Sequence, residues 1–132
     1  MSGISATKAN SYLNTLRNVA DPGIPSVVLK MHTGDPGSGG NLFVSQDTAG
    51  GGLSTPVVWS AAASGSMQYA SGGLFAAIAG LTAPATEVIS HISLWSGASF
   101  LWSVALTTNK SISNGDSLQL TTLSLSFSPV AT

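Results

Sequence analysis

Two histidines and five acids are all that the sequence offers for acid–base or metal chemistry. One of them opens the stretch His32-Thr33-Gly34-Asp35-Pro36-Gly37, which continues through two more glycines to Asn41. Such a loop either cradles a ligand or turns the chain. A phosphate cradle needs a Gly-rich turn that opens a helix and brings a Lys to the phosphates. The next Lys after this loop is Lys110, and the residues that follow read as a strand. The phosphate reading therefore fails on residue type and on context.

His32, Asp35 and His91 would make a two-His, one-carboxylate set, which some metals accept. Residues this common reach such a count by chance, so each His is expected to be a hydrogen-bonding residue at a strand end. No metal and no other cofactor is expected. Serine is abundant, so a Ser-His-Asp triad can be written on paper. The Gly-x-Ser-x-Gly elbow is absent, and no group for orienting a base can be named. Glu87 is the only Glu, and the Asp residues stand in turns, where Asp bonds its own backbone. An enzyme is not expected. Asp35 and Pro36 start a turn and Gly37 permits positive φ, which is enough to explain the loop.

Trp59, Trp95 and Trp102 could stack on sugars or bases. The competing expectation is core or interface packing, where Trp is enriched. Trp95 and Trp102 flank Gly97-Ala98-Ser99 and so could face each other across a hairpin.

These residues need a scaffold. Residues 5–19 carry Ala9, Leu13 and Leu16 at i, i+4 and i+7, with Tyr12 and Val19 close by, which predicts a helix. Ser5 fits its N-cap, and Asp21-Pro22-Gly23 with Pro25 should stop it. So short a helix must pack on its own domain or on another subunit. From Val27 the period is two: Val27, Leu29 and Met31 point one way, and Val28, Lys30 and His32 the other. Further short strands are predicted over residues 42–45, 56–60, 66–70, 73–79, 87–95, 100–106 and 117–127. Gly-rich turns separate them, the pattern of a sandwich or barrel. Leu118 and Leu120 are out of phase with Leu123, Leu125 and Phe127, so a bulge or tight turn is expected at Thr121-Thr122. Asn114-Gly115 predicts a hairpin joining the strand before it to the C-terminal strand.

The chain has 132 residues, no Cys, a net charge of −1 and only 7% charged residues. Its length fits one domain with a core of its own. Cys chemistry and disulfides are excluded. A nucleic-acid partner would call for a basic face, and none is present. The beginning, Met1-Ser2-Gly3-Ile4, does not read as a secretory leader. The longest apolar run, residues 74–81, is too short to span a membrane. So few charges remove the usual guard of a soluble monomer, and neighbours are expected to cover much of the surface.

The order of the pieces resembles a family of small tailed-bacteriophage virion proteins, tail-fibre-like or minor structural proteins. The family begins with a short helix, here Ala9-Asn10-Ser11-Tyr12-Leu13. A strand then enters an LHTGDPG-type loop, here Leu29-Lys30-Met31-His32-Thr33-Gly34-Asp35-Pro36-Gly37. An aromatic strand follows at Val57-Val58-Trp59-Ser60-Ala61-Ala62. A later strand is Ser90-His91-Ile92-Ser93-Leu94-Trp95, then Phe100-Leu101, and a turn is Gly115-Asp116-Ser117-Leu118. The resemblance covers roughly residues 9–127. Lys30-Met31 and Trp102 depart from the family pattern.

The resemblance implies a β-sandwich packed among virion neighbours. The expectation is an all-β protein, an antiparallel jelly-roll-like β-sandwich with one short N-terminal helix. An arm is expected at residues 1–22 and the sandwich at 23–132. The leading functional expectation is an accessory capsid protein, a decoration, cementing or minor capsid protein on the major capsid lattice. The alternative is a tail-fibre or minor tail protein with a glycan- or receptor-binding face. The expected partners are the major capsid protein or tail proteins and further copies of the chain, with a glycan less expected and no nucleic acid or membrane. The expected location is the virion. Tyr12, Leu13, Leu16, Trp59, Trp95 and Trp102 are the candidate interaction residues.

Overall fold

In the computed structural model, which describes residues 3–126, the fold is an antiparallel all-β sandwich with one short helix. Strand β1 (Gly3–Ile4) leads into α1 (Ala6–Asn14). Next come β2 (Val28–His32), β3 (Val58–Trp59), β4 (Ser66–Ser71) and β5 (Leu74–Phe75). The long hairpin β6 (Thr86–Ser96) and β7 (Ser99–Ser113) follows, then β8 (Leu118–Gln119) and β9 (Ser124–Ser126). One sheet has the order β1-β7-β6-β2. Two smaller sheets, β3-β4-β9 and β5-β8, form the opposing layer.

The core lies between these layers. The large sheet contributes Leu29, Met31, Ile92, Leu94 and Leu101, and the smaller sheets contribute Phe75 and Leu125, all buried in one cluster. The alternation predicted for β2 holds, since Leu29 and Met31 are fully buried. The β6–β7 ladder shifts register between Leu94 and Trp95. Leu94 pairs with Trp102 and Trp95 with Phe100, so Leu101 is the extra residue of a bulge. The bulge puts both Leu101 and Trp102 on the core side and leaves Phe100 on the other face with Trp95. A second shift sets Ser90 against the four residues between Ala105 and Lys110.

The helix starts where predicted. The Ser5 hydroxyl accepts the Lys8 N–H at 3.2 Å, satisfying one orphan donor of the first turn. It stops earlier than predicted. A 3₁₀ turn over Thr15–Arg17 runs into Asn18, which takes a left-handed φ of 60°. Asn tolerates that conformation, so the helix is closed before Pro22 can act.

Three strand expectations change. Residues 42–45 are not a ladder strand; one isolated bridge, His32 to Val44, holds them. Asn114-Gly115 is a turn, but β8 pairs with β5 and not with β7. The Asn114 side chain bonds both the N–H and the carbonyl of Leu81, which draws the turn to the other layer. The phase flip at Thr121-Thr122 marks the passage from the β5–β8 sheet to the β4–β9 sheet. Phe127 lies outside the described residues.

Gly72 shows how closely the chain beside β4 approaches the chain leading into β3. Its φ is +86°, and an added Cβ would lie 1.8 Å from the Pro56 carbonyl oxygen. Gly51 has a similar φ of +73° with open space around it. Gly51→Ala should cost about 1–2 kcal/mol, the left-handed penalty alone. Gly72→Ala should cost about 3 kcal/mol or more, because backbone must also move. Urea unfolding of the two variants checks the difference, and equal midpoints would refute the close approach.

Candidate interaction surface

The opening loop is built on His32. His32 has no exposed surface, although it lies on the face of β2 that points away from the main core. Its Nδ1 is 2.8 Å from the Leu42 carbonyl oxygen, and its Nε2 is 2.6 Å from Ser93 Oγ. A carbonyl can only accept, so Nδ1 carries the proton and Ser93 Oγ–H donates to Nε2. Ser93 Oγ in turn accepts from Trp95 Nε1 at 2.6 Å. One buried chain of hydrogen bonds thus runs from Trp95 to the loop. Burial holds the His32 imidazole below its ordinary value, and the positive charge of Lys30 adds to the effect. A Ser–His pair at this distance is also the geometry of a nucleophile and its base. Here the serine is fully buried, and the second ring nitrogen meets a backbone carbonyl in place of a carboxylate.

The five acids have backbone work. Asp35 accepts from the Gly37 N–H at 2.9 Å. Asp47 accepts from Ala49 and Ala79, and Asp116 from Ser113. Glu87 ties down residues 45–46 through the Ser45 hydroxyl and the Gln46 N–H. Asp21 accepts from Gly23 and pairs with Lys8 Nζ at 2.8 Å. The Lys8 bond, helped by the Gly23 N–H, holds the Asp21 carboxyl below its ordinary value. Among the described residues no three His, Asp or Glu come together as a metal site. His91 lies opposite His32 in the ladder, with Ser90 Oγ 2.9 Å from its Nδ1.

The three tryptophans do not form one platform. Trp59 and Trp102 are half-buried against the core. Trp95 is buried on the opposite face, with Phe100 at 5.5 Å between ring centroids and Lys30 Nζ 4.0 Å above its ring. Lys30 thus makes a cation–π contact. A slot of about 450 Å³ between β7 and residues 120–124 is lined by Tyr69, Val104, Leu106, Leu120 and Leu123 among others, with no Trp.

The exposed apolar residues are largely aliphatic. Leu13 is 63% exposed, Leu16 85% and Val19 51%, and Tyr12 also reaches the surface. The same helix buries Lys8 and half-buries Ser11 and Asn14. A helix on a globular body normally buries its apolar stripe. Here Ala9 is half-buried, but Leu13 and Leu16 of the stripe do not pack on their own domain. A second apolar patch is Leu42, Phe43 and Val44, each at least half exposed. Phe43 holds a left-handed φ of 52°. The Thr33 N–H bonds its carbonyl at 2.8 Å, and its ring lies over Gly34, where a Cβ would come within 3.0 Å. The sequence reading missed this patch, because an apolar run of that length reads as a strand. The signal was the neighbouring glycines.

The chain matches the family model described as podophage GP4 fiber I protein gp80 over residues 3–128. It belongs to that family. No curated protein matches it. Membership makes it a phage structural protein of the fibre type and a component of the virion.

The buried histidine makes stability depend on pH. Above about pH 6.5 both folded and unfolded chains hold a neutral imidazole. Below it the unfolded chain takes up a proton that folded His32 resists. Stability should therefore fall as pH drops, by up to about 1.4 kcal/mol per unit. His32→Gln should cost about 1–3 kcal/mol at neutral pH through the buried partners it leaves unpaired. It should also flatten the slope between about pH 7.5 and 5.5 in denaturant titrations, relative to the parent chain. An unchanged slope would refute the assignment.

Proposed function

We propose that this protein is a tail-fibre component that works by binding and carries out no catalytic step. The observation that carries the proposal is the fibre family match, which spans residues 3–128 of the chain. The family description supports a place in the tail better than the capsid-decoration role suggested by the composition. The site chemistry supports a passive role, because the carboxylates hold loops and the Ser93–His32 pair is sealed. The surface supports assembly. Aliphatic residues of the arm and of residues 42–44 are exposed on a chain with few charges. Its partners are then other tail proteins and further copies of itself, held by apolar burial.

The experiment is localisation in purified particles. Antibody to the chain, visualised by gold labelling, should mark the tail. Quantitative mass spectrometry should give a copy number far below that of the major capsid protein. Labelling spread over the shell at a fixed ratio to the capsid protein would restore the capsid role and remove this one.

A further inference from the structure

We infer that Asn114 is a deamidation site that the fold holds closed, and that loss of its amide records an opening of the turn between β7 and β8. The inference concerns the chemistry of the chain itself and stands apart from its place in the tail.

The sequence supplies the reactants. Asn114 alone among the six asparagines is followed by glycine. In this reaction the backbone nitrogen of the next residue attacks the side-chain carbonyl carbon. A side chain on that next residue hinders the approach, and Gly115 has none. The Gly115 nitrogen gives up its proton and bonds to Asn114 Cγ. The Cγ–Nδ2 bond breaks, and the amide nitrogen leaves with a proton as ammonia. Water then opens the imide ring on either side. The product is an aspartate or its isomer, in which the main chain runs through the side-chain carbon. Water is the only co-reactant, and nothing is oxidised or reduced.

Burial does not protect the pair. Asn114 and Gly115 are both exposed, and nothing lies within 4 Å of a Cβ built on Gly115. Hydrogen bonds protect it instead. The Gly115 N–H donates to the Ile78 carbonyl at 2.7 Å, so the attacking nitrogen is tied up with its proton. The Asn114 amide is held at both ends. Its Oδ1 accepts from the Leu81 N–H at 3.0 Å, and its Nδ2 donates to the Leu81 carbonyl at 3.1 Å. An amide held in this way cannot swing its Cγ over the Gly115 nitrogen. Ile78 and Leu81 belong to the core, which fixes both anchors. Reaction therefore waits until the turn comes away from residues 78–81. Each bond is worth about a factor of five in such an opening, so three of them should slow the reaction about a hundredfold.

The change runs one way. A carboxylate in place of the amide still accepts from the Leu81 N–H, but it has no proton for the Leu81 carbonyl. The isomer also lengthens the main chain within the turn. Either product loosens the turn that hands the chain from β7 to β8.

Peptide mapping by mass spectrometry at mildly alkaline pH follows the reaction at every asparagine. In guanidinium chloride Asn114 should deamidate faster than the other five. In the folded chain its rate should fall about a hundredfold. Hydrogen exchange should show the Gly115 N–H protected to within a few-fold of the same factor, because both processes need the same opening. Equal rates in the folded and unfolded chains would overturn the inference. So would a folded-state rate unrelated to the protection of Gly115, or another asparagine reacting first in the unfolded chain. Asn114→Asp keeps the size of the side chain and removes only the Nδ2 bond. It should unfold at lower urea than the parent chain, and an unchanged midpoint would refute the clamp.

Discussion

Strand β6 is buried on both faces, and much of the structure follows from that. Ile89, Ile92 and Leu94 fill the core on one side. Ser93 and Trp95 are equally buried on the other, where no second hydrophobic layer takes them in. A buried polar group without a partner costs about 1–3 kcal/mol, so this face must satisfy itself. It does so in series: the indole N–H to the serine, the serine to the imidazole, the imidazole to the Leu42 carbonyl. The last link is a loop backbone. Residues 33–43 are thus drawn over the second face, where Pro36 is buried and Gly40 sits against the Phe100 ring. An added Cβ at Gly40 would lie 2.5 Å from that ring, so the glycine is a matter of packing as well as of turning. The loop does more than reverse the chain. It is the lid on the second face of the sheet, and its far end carries Leu42, Phe43 and Val44 outward.

The same economy governs the charges. Five carboxylates serve a chain with many loops, and each caps backbone N–H groups that would otherwise be left to water or lost. Used this way they cannot form an acidic surface. With four Lys and Arg in the whole chain, no basic surface forms either. Exposed aliphatic side chains are common on monomers when scattered. Here several stand on residues 12–19 and 42–44, with Val58 and Val88 exposed elsewhere, while Lys8 of the helix turns inward.

Sequence reasoning was most reliable where one local rule decides. The Ser5 cap is a contact between residues three apart, and the alternation of β2 reflects a single buried face. It failed where a distant partner decides. Asn18 closes the helix through a conformation that Asn merely tolerates, so Pro22 looked like the stronger stop. Asn114-Gly115 has the residues of a hairpin turn, but Leu81, distant in sequence, captures the Asn side chain. His32 read as a strand-end residue, yet its burial depends on Ser93, sixty-one positions away. The tryptophans were read as a set because two of them flank a hairpin. The Leu101 bulge separates those two, and no local pattern announces a bulge. The helix stripe was visible at once, but the direction in which it points was not. Periodicity gives a face without saying which side of it is already taken.

That last distinction bears on how the arm is stabilised. A nine-residue helix is marginal in water, and here Leu13, left exposed, does little to hold it. It is held by a serine cap, a Lys–Asp pair, a cation over a tyrosine ring, and strand β1 just before its start. Its leucine is left at the surface while the chain itself keeps the helix in place.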